Sequence, residues 1–206
     1  MGIMPTGAGL KIIPGRLQGI FEVRLSPHQD ERGFFARTYD HEIFRQEGLD
    51  REWVQENHSR SLKKGIIRGL HFQFPPYTET KLVRVIRGAV LDVFVDLRRG
   101  SPTFGKWDSV ELTEENKKMI YIPRGFAHGF CTLSDVSDVL YKVDNFYHPE
   151  AEGGIVWNDK DLKIRWPVSD PILSEKDAGL STFDYFIKHW GGIDLKEPAL
   201  RKAGVR

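Results

Sequence analysis

Residues 65–74 read GIIRGLHFQF, an apolar, strand-like run that also carries a histidine, an arginine and a glutamine. In an extended strand alternate residues face opposite sides, so His71 projects away from the face that holds Leu70. An imidazole titrates near neutral pH and is the usual general base in proteins. Two cations, Arg68 and Lys81, lie near His71 along the chain, which favours a pocket over an isolated surface histidine.

Two further residues could take part in proton transfer. Tyr141 shares a strand face with Val139 and Val143, which indicates an inward phenol that is either a core tyrosine or a proton donor. Asp177 follows Ser174 at the spacing of a capping box, so its carboxylate could open a short helix or fix the tautomer of a histidine. Sequence spacing leaves both alternatives open.

Two histidine-containing patterns raise the question of a metal site. His128 ends a Pro-x-Gly-x-x-His pattern, and Gly65 precedes His71 by six residues, and both patterns are similar to metal-binding motifs of cupin proteins. The motif around His71 requires a second histidine two positions further on, where this chain has Gln73. Because an amide is a poor ligand for a transition metal, we predict no metal site, although Glu79 could supply a carboxylate.

Short strands must position these residues, because two-residue periodicity dominates the chain. It predicts strands at KLVRVIRG and AVLDVFVDL with Gly88 as a hairpin turn, at KMIYIP and GFCTLS around a tight RGFAHG turn, and at SDVLYKVDNFY, GGIVWND and LKIRWP. Helical signals are short and begin at the capping residues Asp40, Thr113 and Ser174. Many short strands with 20 glycines and 11 prolines indicate an all-β sandwich or jelly-roll barrel with a few short peripheral helices.

Length, charge and cysteine content narrow the function classes. The 206 residues suit one domain, which we predict to span 1–186, with 187–206 as an extension of unclear role. The formal charge of +1 argues against nucleic acid or an anionic membrane as the partner. Cys131 is the only cysteine and the N-terminus does not resemble a signal peptide, so we expect a cytoplasmic protein. Walker, Gly-x-Ser-x-Gly, Cys-x-x-Cys and dinucleotide-binding motifs are missing from the sequence, which argues against redox cofactors and acyl transfer.

The order of several longer motifs resembles one known family. Between DERGFFARTYD and LSEKDAG the chain carries VQENHSRS, RGLHFQ, KLVRVIRG, VDLRRGSPTFGKW, IPRGFAHGF and LYKVDNFYHPEAEGGIVWND. In sequence and order these are similar to the dTDP-4-dehydrorhamnose 3,5-epimerase family. The resemblance implies a cupin-type jelly-roll barrel that needs no cofactor and works as a homodimer with exchanged strands. It also implies epimerisation at C3 and C5 of dTDP-4-dehydro-6-deoxy-D-glucose to dTDP-4-dehydro-L-rhamnose, a step towards dTDP-L-rhamnose.

The same resemblance implies a role for each residue of the site. His71 would be the base held by Asp177, Tyr141 the acid on the opposite face of the sugar, and Lys81 the cation that stabilises the enolate oxygen. The residues implied to bind the substrate are Arg32, Phe35, Gln55, Asn57, Arg68, His128, Phe146, Glu152 and Lys176. Among these, Arg68 and Arg32 would contact the diphosphate, Arg32 from its own or the partner subunit, and Phe146 would stack on the nucleotide base.

These residue types suit the reaction chemically. A ketone at C4 acidifies the C–H bonds at C3 and C5, so inversion needs a base, an acid across the ring and a cation at the oxygen. Three alternatives stay open: an epimerase of one carbon on a related 4-keto nucleotide sugar, a metal-dependent cupin such as a dioxygenase or a sugar-phosphate isomerase, and a module that binds sugar nucleotides without catalysis. The metal-dependent alternative would place His71, His128 and Glu79 around one ion.

Overall fold

The computed structural model describes residues 9–196, in which strands dominate and the helices are short. The helices are α1 (His41–Gln46), α2 (Glu175–Ala178) and α3 (Phe183–Trp190), with one 3-10 turn at Pro149–Ala151. The strands are β1 (Leu10–Pro14), β2 (Phe21–Leu25), β3 (His28–Asp30), β4 (Gly33–Phe35), β5 (Gln55–Ser61), β6 (Ile67–Gln73), β7 (Lys81–Arg87), β8 (Ala89–Asp96), β9 (Trp107–Thr113), β10 (Lys118–Ile122), β11 (Phe126–Thr132), β12 (Ser137–Val143) and β13 (Glu152–Gly154).

Two antiparallel sheets form the barrel. One has the order β1-β2-β10-β7-β12-β5 and the other β13-β6-β11-β8-β9, while β3 and β4 pair only with each other within residues 9–196. Successive strands repeatedly leave one sheet and join the other, which is the jelly-roll arrangement. The prediction of an all-β jelly-roll barrel with short peripheral helices is confirmed.

Alternation along each strand divides the apolar side chains between the barrel interior and its outside. Val83 and Val139 of the first sheet pack against Val90 and Phe94 of the second in a shared core. The opposite face of the second sheet is also buried, because α3 packs Phe186 against it. α1 covers the outside of the first sheet in the same way, because its Phe44 packs in a buried cluster with Val23, Leu82 and Tyr121. Each fully buried side chain of this kind contributes about 1.5–3 kcal/mol, so the outer layers help to fix the strands.

The three predicted capping residues are confirmed, two at helices and one at a turn. Asp40 accepts hydrogen bonds from the backbone N–H groups of Glu42 and Ile43 at the start of α1. Ser174 accepts one from the N–H of Asp177 at α2, and Thr113 caps the turn between β9 and β10. Within residues 9–196 the helices are too short and too polar for any of them to cross a membrane.

Two turn predictions are wrong because the strands on either side belong to different sheets. Gly88, with φ of +72°, forms a corner and not a hairpin turn, since β7 pairs with β10 and β12 while β8 pairs with β9 and β11. The tight turn predicted at RGFAHG ends before Phe126, so His128 lies within β11 and not in a turn.

Of two strand predictions near residue 160, the first is confirmed only in part and the second is wrong. Of GGIVWND only Gly153 and Gly154 belong to a strand, with one isolated bridge at Ile155. LKIRWP forms no strand: it leaves a turn at Leu162, and Lys163 has a φ of +51° with its N–H bonded to the carbonyl of Asp159. Apolar alternation in these segments serves packing on the barrel and not pairing in a ladder.

The predicted domain boundary at residue 186 falls inside α3. Residues 187–196 complete this helix and then run beside β8, where Ile193 is buried and forms a bridge with Arg98. Residues 197–206, the rest of the predicted extension, lie outside the described residues. Whether the extension has a role of its own stays a prediction.

Candidate active site

Three of the predicted catalytic groups line one polar opening between the two sheets. β6 buries Leu70 and Phe72 in the outer cluster and turns His71 to the opposite face. Lys81 is the first residue of β7, and Tyr141 lies on the neighbouring β12, two residues before Val143, the cross-strand partner of Lys81. His71, Lys81 and Tyr141 each line two adjoining cavities of about 280 and 320 Å³. A base, a cation and a phenol therefore face the same space.

His71 is hydrogen-bonded to a carboxylate from the far end of the chain. Its Nε2 lies 2.6 Å from Oδ1 of Asp177, which is almost fully buried. The backbone N–H of Asp177 at the same time donates to the hydroxyl of Ser174, which caps α2, so the carboxylate is left for the histidine. Burial raises the pKa of the Asp177 carboxyl, but the hydrogen bond and charge of His71 outweigh burial and bring the net pKa below its usual value. The carboxylate is therefore ionised at neutral pH and orients the imidazole.

A second histidine–aspartate pair lies beside the first. His128 on β11 is the cross-strand neighbour of His71, and its Nε2 is 2.9 Å from Oδ2 of the fully buried Asp92. β6 and β11 can approach each other closely here because Gly69 has no side chain. A Cβ at this position would lie only 2.7 Å from the Cα of Gly129. Sequence reasoning missed Asp92, although an aspartate that alternates with buried apolar residues on one strand face was a signal for a paired carboxylate.

Polar and charged side chains form the rim of the cavities. Arg68 donates from Nε to the hydroxyl of Ser61, and in the part of the chain that the structure describes it forms no ion pair with a carboxylate. Lys176 on α2 donates to Glu152 over 2.6 Å, and Gln55 and Asn57 complete the lining from β5. The rim thus presents a guanidinium that is free to bind an anion.

Tyr147 is a lining residue that sequence reasoning missed. Its hydroxyl donates to Oε2 of Glu152 over 2.9 Å, while Lys176 occupies Oε1. Burial raises the pKa of the Glu152 carboxyl, but the hydrogen bonds from Lys176 and Tyr147 outweigh burial and lower the net pKa. The motif NFYHPE offered no periodicity that would place this phenol in the site.

Three predicted substrate-binding residues do not line these cavities. Arg32 lies on the β3–β4 hairpin and is paired with Asp30, its Nη2 2.6 Å from Oδ2. Phe35 on the same hairpin is 65 % exposed and borders a separate cavity of about 340 Å³. Phe146 is 58 % exposed, and only its carbonyl reaches the site, where it accepts a hydrogen bond from Gln73.

The side chains of the metal alternative are held in separate hydrogen bonds. His71 is engaged by Asp177 and His128 by Asp92, while the amide of the buried Gln73 bonds to neighbouring loop backbone. Within residues 9–196 no three histidine, cysteine or acidic side chains are grouped as metal ligands. The donor set that the cupin motifs would need is not assembled.

The fold and the site together define a class: a jelly-roll protein whose lumen offers groups for moving protons on a bound ligand. The model of the dTDP-4-dehydrorhamnose 3,5-epimerase family matches residues 14–184. An enzyme of that name from Shigella flexneri is 52 % identical over 162 residues, which cover 77 % of this chain and 89 % of the relative. The chain belongs to the dTDP-4-dehydrorhamnose 3,5-epimerase family.

Solved structures of similar proteins agree with this assignment. A dTDP-6-deoxy-D-glucose-3,5-epimerase from Legionella pneumophila, in complex with dTDP-4-keto-L-rhamnose, is 42 % identical with a TM-score of 0.81. The match covers 85 % of this chain and 94 % of that one. A 3'-monoepimerase from Streptomyces bikiniensis in complex with dTDP-quinovose is 33 % identical with a TM-score of 0.82, over 88 % and 92 % of the two chains. The scaffold therefore occurs in epimerases of two carbons and of one.

Asp177→Asn should test the histidine–aspartate pair. The substitution keeps the size of the side chain and removes the charge that orients the imidazole, so we expect kcat for epimerisation to fall about 10²- to 10⁴-fold, as in other histidine–aspartate pairs. Steady-state kinetics with the 4-keto nucleotide sugar measures this loss. Glu175→Gln, an exposed acid on the same helix, should leave kcat within about twofold of the wild type. An Asp177→Asn variant with nearly full kcat would contradict the role of Asp177.

Proposed function

We propose that this protein inverts C3 and C5 of dTDP-4-dehydro-6-deoxy-D-glucose and so forms dTDP-4-dehydro-L-rhamnose for dTDP-L-rhamnose biosynthesis. The observation that carries the proposal is the convergence of His71, Tyr141 and Lys81 on one opening in a chain of this family. The reaction moves protons only, so the protein's own side chains suffice and we expect no cofactor.

Each of the three groups has one task in the reaction. The imidazole of His71, held by Asp177, removes the proton from the carbon next to the C4 ketone. The ammonium of Lys81 stabilises the negative charge that develops on O4. The phenol of Tyr141 then returns a proton to the opposite face of the ring, which inverts the carbon. A stabilising donor of this kind contributes about 2.7–4 kcal/mol, so the loss of Lys81 alone would slow the reaction at least about hundredfold.

The rim supplies groups for the nucleotide. A planar guanidinium forms paired hydrogen bonds with phosphate oxygens, so the diphosphate is assigned to Arg68, whose charge no carboxylate neutralises within residues 9–196. The exposed ring of Phe146, next to the site, suits stacking on the thymine base. Gln55, Asn57, His128, Glu152 and Lys176 would surround the sugar. We infer a cytoplasmic location from the single, buried cysteine, which leaves no partner for an intrachain disulfide.

Deuterium incorporation separates this function from the single-carbon alternative. In heavy water the wild-type protein should introduce deuterium at both C3 and C5 of the 4-keto sugar, read carbon by carbon by NMR. Tyr141→Phe should retain exchange through His71 but lose net inversion by about hundredfold or more, because the second face has no proton donor. The control Tyr185→Phe changes an exposed tyrosine on α3 and should behave as the wild type.

Other outcomes of the same experiment decide between the alternatives. Label at only one carbon would show a single-carbon epimerase. Absence of label with every 4-keto nucleotide sugar would refute the catalytic function and leave a binding module or a different chemistry.

We further propose a homodimer in which the β3–β4 hairpin reaches the site of the second copy. Phe34 and Phe35 are both exposed on this hairpin, and an isolated two-stranded ribbon is only marginally stable in water. Arg32 at its tip lies among the substrate-binding residues that the family implies, yet it does not line the cavities of its own chain. A partner would both cover the aromatic rings and receive the arginine.

Subunit mixing tests this arrangement. Arg32→Ala and His71→Ala variants should each be nearly inactive as pure dimers. After unfolding and joint refolding, half of the dimers are mixed and each contains one site with His71 and the partner's Arg32, so about a quarter of the wild-type activity should return. Light scattering should show a dimer. A monomer, or no recovery of activity after mixing, would contradict the shared site.

A further inference from the structure

The ammonium of Lys81 is paired with a carboxylate that has no role in the proposed epimerisation. Nζ of Lys81 lies 3.1 Å from Oε1 of Glu79, and the two side chains are only 9 % and 14 % exposed. A charge that is removed from water needs a compensating partner. The other carboxylates around the opening are engaged elsewhere: Asp177 with His71, and Glu152 with Lys176. Glu79 is thus the counterion of Lys81.

We propose that Glu79 is a positioning residue that aims the ammonium of Lys81 at the carbonyl oxygen of the substrate. The inference rests on the proposed function, because it assumes that Lys81 stabilises the enolate. A lysine reaches its target through a flexible four-carbon stem and carries three N–H donors. One donor bound to Glu79 fixes the position of Nζ and leaves two for the oxygen that becomes negative. A misplacement of about 1 Å in such a site can reduce the rate about hundredfold.

Glu79 is itself held by the amide of Gln73. Nε2 of Gln73 lies 3.1 Å from Oε2 of Glu79, and it also donates to the carbonyl oxygens of Tyr77 at 2.9 Å and Phe146 at 3.2 Å. Oε1 of Gln73 accepts from the N–H of His148 over 2.7 Å. The amide has two N–H groups for these three acceptors. It can therefore lose the hydrogen bond to Glu79 and still donate to the carbonyl oxygens of Tyr77 and Phe146. This chain of contacts fixes the carboxylate from the side opposite Lys81.

Variants of Glu79 distinguish the effect of side-chain length on kcat from the effect of its charge. Glu79→Gln keeps the length and an acceptor oxygen for Lys81 but removes the compensating charge, so kcat should fall by no more than about tenfold. Glu79→Asp keeps the charge but withdraws the carboxylate by one methylene, and Glu79→Ala removes it, so kcat should fall about 10- to 100-fold with KM nearly unchanged. In a Lys81→Met background none of the three changes should lower kcat further, because Glu79 acts through Lys81.

The matched control is a second glutamate–lysine pair at the same distance. Glu56 and Lys142 lie 3.1 Å apart on the outside of the first sheet, and Glu56→Asp and Glu56→Ala should leave kcat unchanged. Full activity of Glu79→Ala, or effects of Glu79→Ala and Lys81→Met that multiply in the double variant, would overturn the proposal. Loss of activity in Glu79→Gln with full activity in Glu79→Asp would also overturn it. In that case kcat would depend on the charge of the side chain and not on its length.

Crystal structures of the unliganded variants give a readout that needs no substrate. Nζ of Lys81 should keep its position within about 0.5 Å in Glu79→Gln and move by more than about 1 Å in Glu79→Asp. An unmoved Nζ in Glu79→Asp would overturn the positioning role even in an active enzyme. A displaced Nζ together with a wild-type protein that incorporates no deuterium would leave the positioning role standing and refute the proposed function alone.

Discussion

The hydrogen bond between His71 and Asp177 joins two segments that are 106 residues apart in sequence. An ionisable side chain in a barrel lumen is destabilising unless a partner compensates its lost hydration. The same requirement is met by His128 with Asp92 and by Lys81 with Glu79. The two histidine–aspartate pairs connect distant parts of the chain, and the lysine–glutamate pair connects the start of β7 with the loop before it. A polar lumen is therefore possible because His71, His128 and Lys81 are each held by a specific carboxylate.

Such a lumen must also be stabilised from outside, because the apolar core fills only part of the barrel interior. β6 shows how this is achieved, because its one face packs Leu70 and Phe72 under α3 while the other presents His71. α3 brings Phe186 to that outer cluster, and α2, which precedes it, places Asp177 beside His71. The same C-terminal segment thus supports the strand and orients its base. Packing on one face and chemistry on the other are consequences of strand alternation.

Local patterns predicted the strands and caps well, because they depend on neighbours in sequence. Alternation alone placed Tyr141 on an inward face and His71 on the face opposite Leu70, and Ser174 could be recognised as a cap. The sheet that each strand joins depends on distant partners, so Gly88 at a corner could not be distinguished from a hairpin glycine. Pairs such as His128 with Asp92 are invisible for the same reason, since nothing near either residue indicates the other. The family resemblance contributed the substrate and the roles, including the one implied for Arg32.

In the proposed mechanism a base and an acid lie on opposite faces of one bound sugar ring, with an ammonium at its carbonyl. A crystal structure of the slow His71→Asn variant with dTDP-4-dehydro-6-deoxy-D-glucose tests this arrangement. We expect the ring to lie between residue 71 and the phenol of Tyr141, with O4 within hydrogen-bonding distance of Nζ of Lys81. A ring bound elsewhere, or residue 71 and Tyr141 on the same face of the ring, would contradict it.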